Sequence, residues 1–369
     1  MSTLLHKLAL SRLPGMNRQR ASAILGSLDG NEEMFFTASS ADIAELTDYG
    51  RSRLFAPGVR EAALEKARRE MDFLERNGVK ARFFTDADFP SRLEGIDDAP
   101  VMIFTLGECD LDAARVVGIV GTRHATAYGT DFTAKLVSSL ARDLAEPTVI
   151  VSGLAYGIDV AAHRAAMTAG LPTAGVLAHG LSTIYPAAHR NVAAAMIQGG
   201  GALVTEYTSA DPVHRGNFLA RNRIVAGMCD CLVVVESDTK GGALVTARLA
   251  CDYGRDVFAL PGRVSDRYSR GCNNLISSHM AQILTDAEAL PDLMGWKRRP
   301  KEGEQQELFA ELDPTETRIV EALTRQGEMS LSELKNEIDE QTHKLAGLLI
   351  DMELRGLVLS IPGNRYRLA

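Results

Sequence analysis

Four stretches of this chain bring glycine, hydroxyl and cation together in a way that suits anion binding: Gly121-Thr122-Arg123-His124-Ala125-Thr126, Ser152-Gly153-Leu154-Ala155-Tyr156-Gly157, Tyr185-Pro186-Ala187-Ala188-His189-Arg190-Asn191 and Ser237-Asp238-Thr239-Lys240-Gly241-Gly242. Ahead of the second, Val149, Ile150 and Val151 read as a buried parallel strand. Gly153 and Gly157 permit positive φ and close backbone approach, and the spacing of Ile158, Val160, Ala161 and Ala165 then opens a helix. Strand, glycine turn and helix start together aim free N–H groups and a positive dipole end at one point outside the sheet, and that point suits a phosphate. One such turn would suggest a nucleotide; several at the ends of neighbouring strands make an anion groove.

Phe218-Leu219-Ala220-Arg221-Asn222-Arg223 adds two guanidiniums and an amide. The arginines flank Asn222 on a helix, so the three side chains diverge. At least one arginine is expected to pair with a carboxylate such as Glu206 or Glu236. One then faces phosphate through a planar fork that lysine cannot imitate, unless both serve structural ion pairs.

Missing motifs narrow the chemistry. No GxGxxG follows the first strand of the alternating region and no GxxxxGK[ST] occurs, which disfavours a dinucleotide fold and removes P-loop ATPase chemistry. HExxH and GxSxG are absent, and His163, His179, His189 and His214 have no metal-ligand spacing, so neither cofactor nor metal is expected. Asp159 and His163, four apart on one helix face, read as a hydrogen-bonded structural pair before a catalytic one. The 5 cysteines are odd in number and lack CxxC spacing, so buried thiols are expected.

The elements that must position these residues alternate. Strands are expected at Val101–Thr105, Val116–Val120, Thr148–Val151, Thr173–Leu177, Ala202–Thr205, Cys231–Val235, Asp256–Leu260 and Gln282–Leu284. Helical patterns fall at Tyr128–Leu144, Ile158–Ala169, Ala187–Ile197, Phe218–Ala226, Gly242–Cys251 and Asn273–Ser278. Such alternation predicts an α/β fold, a doubly wound parallel sheet whose right-handed crossovers put the loops after the strands on one rim.

Before this region, residues 1–80 read as helices: LLHKLALSRL, RQRASAILGSL, EEMFFTAS, ADIAEL and a longer run from Val59 to Arg76. The turn Leu13-Pro14-Gly15 is similar to the hairpin of helix-hairpin-helix modules, and a tight turn in a small bundle explains it equally. Phe83 to Gly107 reads as an extended connector leading into the first strand. After the alternating region, WKRRPKEGEQQELF reads as a linker. Helices at Pro314–Arg325, Leu331–Glu337 and Thr342–Arg355 and a hairpin about Pro362-Gly363-Asn364 then draw a winged-helix outline, with Asp313 capping its first helix.

At 369 residues two or three domains are expected. The net charge of −8 excludes a wholly basic nucleic-acid binder, but the distribution matters more. Residues 1–114 carry 14 Lys/Arg against 19 Asp/Glu, residues 115–290 carry 15 against 14, and residues 291–369 carry 11 against 15. Any polyanion site is therefore expected in the middle, as a local patch. No apolar run is long enough to span a bilayer and no secretory signal opens the chain, so it is expected in the cytoplasm and off the membrane.

Taken together, GIVGTR, VSGLAYGID with AAH after it, GLSTIYP, FLARNRIVAG, VVVES, ALVTARLA and FALPGRV followed by GCNNLI resemble, in order and approximate spacing, the motifs of the DprA/Smf family of DNA-processing proteins over roughly residues 85 to 290. The resemblance implies an extended Rossmann-like DNA-binding domain at 81–295, a SAM-like helical domain at 1–80, a linker at 296–312 and a winged-helix domain at 313–369. It further implies a homodimer that binds single-stranded DNA without reading sequence, protects incoming DNA in natural transformation and loads the RecA recombinase, with no catalytic residues. Carried over by motif, the arginine of the family's Gly-Ser-Arg falls on Arg123, with Thr122 in place of serine; a basic position falls near Arg190; and Arg-Asn-Arg falls on Arg221, Asn222 and Arg223. Gly121, Ser152, Gly153, Gly157, Phe218, Lys240, Gly241 and Gly242 complete the expected strand-binding set. The chain departs from the family at Gly241-Gly242-Ala243-Leu244, which loses a hydroxyl, and at His279-Met280-Ala281. A row of anion sites along a sheet rim suits a single strand, and Phe218 or Tyr185 would stack a base if not held in the core.

Two other function classes compete. Phosphoribohydrolases on a related core carry PGGxGTxxE. Laid over Lys240-Gly241-Gly242 this pattern would need glycine at Leu244, threonine at Val245 and glutamate at Arg248, and none is present. A pure interaction module is expected only of the C-terminal segment, which from Asp313 has 7 Lys/Arg against 10 Asp/Glu, a poor surface for duplex DNA.

Overall fold

The computed structural model describes residues 2–39, 41–43, 56–299, 312–338, 340–355 and 357–368. They belong to two compact units, Met1–Arg299 and Pro300–Ala369.

The first unit opens with helices α1 (Ser2–Ser11), α2 (Arg18–Ser27), α3 (Glu32–Thr37) and α4 (Pro57–Asn77). Of the expected ADIAEL helix, residues 41–43 are helical and the rest lies outside the described residues. There follow β1 (Lys80–Phe83), α5 (Ser91–Glu94), β2 (Met102–Gly107), β3 (Arg115–Val120), α6 (Ala127–Asp143), β4 (Thr148–Ser152), α7 (Ile158–Thr168) and β5 (Thr173–Val176). Then come α8 (Arg190–Gln198), β6 (Ala202–Thr205), α9 (Arg215–Met228), β7 (Cys231–Val234), α10 (Gly242–Asp252), β8 (Asp256–Ala259), α11 (Arg270–Ser277), β9 (Gln282–Ile283) and α12 (Leu290–Leu293).

All nine strands form one sheet in the order β1-β2-β6-β5-β4-β3-β7-β8-β9. From β3 to β9 every pairing is parallel. The chain starts in the middle at β3, steps outward through β4 and β5 to β6, then returns to lay β7 against the other side of β3. The strands between are buried on both faces, which is why they read as unbroken β-branched runs: in β3, Val116 and Val120 join one core while Val117 and Ile119 join the other. The winding reverses between β3 and β7, and open α/β sheets leave a crevice at the strand ends there.

Three features differ from the sequence expectation. The sheet is mixed, because β2 runs antiparallel to β6 and to β1; the connector read from Phe83 to Gly107 is in fact bounded by this hairpin. The helices at the start are not an independent body: Leu8, Leu10, Ile24 and Phe35 share a core with Phe83, Met102 and Phe104 of the hairpin. The first unit also runs past 295. Trp296 is buried beneath the Arg115 guanidinium, 5.4 Å from its ring centre, and Arg298 pairs with Asp143 at 3.0 Å and Asp292 at 2.8 Å.

The second unit holds α13 (Pro314–Gln326), β10 (Glu328–Ser330), α14 (Leu331–Ile338), α15 (Thr342–Leu354), β11 (Val358–Ile361) and β12 (Arg365–Leu368). Asp313 caps α13 in a reciprocal capping box with Glu316. The expected hairpin gains a third strand, in the order β10-β12-β11, and Ile319, Leu323, Leu334, Leu349 and Met352 form a core of its own.

Candidate nucleic-acid interface

The crevice between β3 and β7 holds a cavity of about 410 Å³ lined by Gly121, Thr122, Arg123, Gly153, Phe218, Arg221, Asn222, Gly241 and Gly242 among the expected residues. Its geometry begins with a carboxylate. Glu236, just past β7 and 3% exposed, accepts hydrogen bonds from the Thr126 N–H at 2.9 Å and the Thr126 hydroxyl at 2.6 Å, while its backbone carbonyl accepts from the Thr122 N–H at 2.7 Å. Thr126 in turn caps α6. From the other side Gly157, at φ 76°, lies so close to the Thr122 carbonyl and the Arg123 backbone that a Cβ there would collide with both. The loop after β3 is therefore clamped between β7 and the start of α7, and it lifts Arg123 into solvent.

Arg123 is the cation this arrangement leaves available. It is exposed, its guanidinium lies 5.7 Å from the centre of the Phe218 ring, and it makes no ion pair among the described residues. Phe218 also meets the half-exposed Tyr185 edge-on, with ring centres 5.5 Å apart. Cation, ring and ring thus stand in a row along the rim.

The phosphate seat expected at the start of α7 is occupied by the chain itself. Asp159 is 7% exposed. Burial pushes its carboxyl up, while Arg221 and the backbone amides of Ala155, Gly153 and Gly121 draw it back. Those amides face a carboxylate of the same helix. Arg221, 5% exposed, donates to the Gly153 carbonyl at 2.6 Å and to the Val176 carbonyl. Burial lowers its pKa first of all, Asp159 raises it and the nearby Arg123 lowers it. Arg221 is thus offset by Asp159, and Arg123 is left as the exposed cation facing the cavity.

The remaining expected residues are placed as follows. Ser152 is fully buried and its hydroxyl donates to the Ile119 carbonyl at 2.6 Å, stitching β4 to β3 instead of facing the groove. Arg223 points to the opposite side of α9, where it pairs with Glu206 at 2.5 Å in a separate cleft beside Arg12 and Asp98. The divergence expected from the spacing is present, but both arginines have internal partners, so neither is the free phosphate fork that was expected. Asn222 reaches the Gly242 carbonyl at 3.4 Å. Arg190, at the start of α8, and Lys240, in the loop after β7, are exposed and stand outside the cavity.

His163 and His179 are held by internal hydrogen bonds, though not as the spacing of Asp159 and His163 suggested. His163 is bonded through Nδ1 to the Thr173 hydroxyl at 2.7 Å, not to Asp159, and burial pushes its pKa down to about 3. His179 is held by the Gly180 carbonyl and the Tyr185 N–H. No group of three His, Cys, Asp or Glu among the described residues is arranged to hold a metal. Burial first of all pushes the thiols of Cys109, Cys229 and Cys272 up to about 12. No described helix is long and apolar enough to cross a membrane.

Sequence reasoning missed two residues of the cavity wall, Arg267 and Tyr268. Their signal is the spacing of Arg263, Arg267 and Arg270 after β8, a run of cations of which the motifs FALPGRV and GCNNLI take in only Arg263.

Comparison with known proteins places this geometry. Residues 80–295 match the family described as DNA recombination-mediator protein A. Protein Smf of Synechocystis is 32% identical over 335 residues, covering 80% of this chain and 82% of that protein. The solved structure of DNA processing protein A (DprA) from Streptococcus pneumoniae superposes with a TM-score of 0.63 at 31% identity, covering 78% of this chain and 96% of the other. A second solved structure, of DNA processing protein A from Helicobacter pylori, described for its single-stranded DNA binding mode, gives a TM-score of 0.52 at 29% identity over 59% of this chain and 97% of that one.

Proposed function

This chain belongs to the DNA recombination-mediator protein A family, and we propose that it binds single-stranded DNA without reading sequence, protects an incoming strand in natural transformation and loads the RecA recombinase on it. It acts as a cytoplasmic homodimer, and its rim contacts the strand through Arg123 and Phe218, with Gly121, Thr122, Asn222, Gly241 and Gly242 lining the seat and Arg190 and Lys240 as outlying cations. The observation that carries this reading is the exposed Arg123 guanidinium stacked 5.7 Å from Phe218 at the winding reversal of the sheet. A cation for phosphate and a ring for a base stand within one nucleotide of each other, and neither selects a particular base. The Helicobacter pylori relative's described binding of single-stranded DNA supports it.

The helices of residues 1–80 serve as a SAM-like module on the sheet's β1–β2 edge, and the second unit as a winged helix that contacts protein. Its third helix, α15, presents Ile350 and Leu354, 57% and 83% exposed, where a duplex-reading helix would present cations. The hydrolytic alternative has little support in the cavity: of its lining carboxylates, Asp159 is engaged by amides and Arg221, and Asp238 pairs with Arg267 at 2.6 Å.

Titration of wild type and Arg123→Ala with oligo-dT across a salt series tests the assignment. Affinity is expected to fall with salt, to exceed that for duplex, and to weaken in the variant with a slope shallower by about 0.7. Equal affinities for the two proteins at every salt concentration would defeat it.

A further inference from the structure

The rim does not end at Arg123. Beyond it His124 stacks on Tyr268, with ring centres 6.0 Å apart and planes 23° from parallel, and the Arg267 guanidinium lies 5.7 Å from the Tyr268 ring centre. Tyr185, Phe218, Arg123, His124, Tyr268 and Arg267 therefore continue one file of alternating rings and cations. Arg267 and Tyr268 form the wall between the cavity at the winding reversal and a second one of about 890 Å³ beside the loop after β8. That second cavity carries Tyr128, 52% exposed, with its hydroxyl anchored to the Pro261 carbonyl at 2.7 Å, and the exposed Arg263.

We infer that this second cavity is a further subsite for the same single strand, seating the next bases against Tyr268 and Tyr128 with their phosphates on Arg267 and Arg263. The inference rests on the single-strand reading above and extends it from one seat to a two-seat track. Rings that are held at one end and open on a face suit base stacking, because every base has a π-face and none is selected. Tyr128 meets that requirement through its tied hydroxyl and open ring. Arg267 binds Asp238 through Nε alone, at 2.6 Å, which leaves its outer N–H groups for a phosphate. A track with cations at both ends of a ring pair also explains why Arg263 and Arg267 are gathered in the exposed segment after β8 of an acidic chain.

The test uses the full chain and oligo-dT of increasing length. Arg267→Gln and Arg263→Gln are expected to shorten the occluded length of strand and to make the salt slope shallower by about 0.7 for each phosphate no longer neutralised, while an oligonucleotide too short to reach the second seat binds Arg263→Gln, whose side chain lies outside the first cavity, as it binds wild type. In parallel, ultraviolet crosslinking of wild type to oligo-dT carrying 5-iodouracil, mapped by mass spectrometry, is expected to mark Tyr268 or Tyr128 as well as the Phe218 region. Occluded length and slope unchanged in both variants, or crosslinks confined to Phe218 and Tyr185, would overturn the second seat and leave the first intact. Failure of wild type to hold oligo-dT, or indifference to Arg123→Ala, would overturn both.

Discussion

Arg221 fills the space that a side chain on residue 153 would need: its guanidinium donates to the Gly153 carbonyl at 2.6 Å, and a Cβ on that glycine would run into it. The glycine of the turn after β4 thus serves an arginine of its own chain. Removing Arg221 would leave Asp159 buried without its counter-charge, so Arg221→Ala is expected to lose on the order of 3–5 kcal/mol. Arg123→Ala is expected to stay within about 0.5 kcal/mol of wild type, as exposed substitutions do. Urea unfolding of the two variants separates the roles; equal midpoints would remove the distinction between them.

A pH dependence follows from His163. Its pKa is about 3 in the fold against 6.5 ordinarily, so between these values the unfolded chain binds a proton that the folded chain refuses. Stability from this group is therefore complete above pH 6.5 and is lost as pH falls toward 3, by about 1.4 kcal/mol per pH unit. Asp159 works in the opposite sense, because its raised carboxyl pKa lets the fold take up a proton before the unfolded chain does. His163→Gln can retain a bond to Thr173 and cannot titrate. Its unfolding free energy between about pH 6 and pH 4 is expected to decline less steeply than that of wild type, by about 1.4 kcal/mol per unit; parallel curves would clear His163 of the effect.

Gly157 carries no charge, yet it governs where Arg123 stands. With φ at 76° and the Thr122 carbonyl against it, an added methyl must push the loop after β3 outward. Gly157→Ala is expected to cost about 1–3 kcal/mol in stability. It should also weaken oligo-dT binding while keeping the wild-type salt slope, since no cation is removed. Isotherms and melting curves read both; binding at wild-type strength would mean that the clamp does not set the position of Arg123.

The C-terminal boundary of the first unit can be tested by truncation. A chain ending at Arg299 keeps Trp296 beneath Arg115 and Arg298 on Asp143, whereas one ending at residue 295 has neither. The shorter chain is expected to be less stable by about 3–5 kcal/mol, the cost of deleting a buried large aromatic. Equal melting temperatures would show that the unit closes before Trp296.

Much of the sheet was legible because a parallel strand with two buried faces leaves a run such as Val116–Val120 or Val149–Val151 that no surface element would carry. β1 was not. Lys80-Ala81-Arg82-Phe83 is short, at the edge and half charged, and only its pairing with Ile103 and Phe104 makes it a strand. In the site, Arg123 and Phe218 were legible from residue type and from their place after a strand and on a helix leading to the rim. The fate of the glycine turn was not, because periodicity says that Asp159 sits in the first turn of a helix but not that its carboxylate folds back to take the amides of Gly121 and Gly153. Likewise the spacing of Arg221 and Arg223 fixes that they diverge, while only the neighbouring strands decide that one meets carbonyls and the other Glu206. Arg267 and Tyr268 escaped because a loop after a strand has no period to betray which side chains turn inward.

The order of the strands has a consequence for how the chain is made. β2 pairs with β6, Phe104 against Thr205, and β3 takes β7 as its second neighbour, Ile119 against Val233, so both partnerships wait for segments synthesised long after the first strand has emerged. Until then the β1–β2 hairpin presents the outer edge of β2 with β6, its second partner, still unmade. Long-range pairing of this kind is slow, and the waiting edge is open to association with other chains. The Lys7–Asp86 bond at 2.5 Å, which ties α1 to the turn just after β1, lies wholly within the early segment. It belongs to the set of interactions that can hold the nascent N-terminal third together while the sheet is still incomplete.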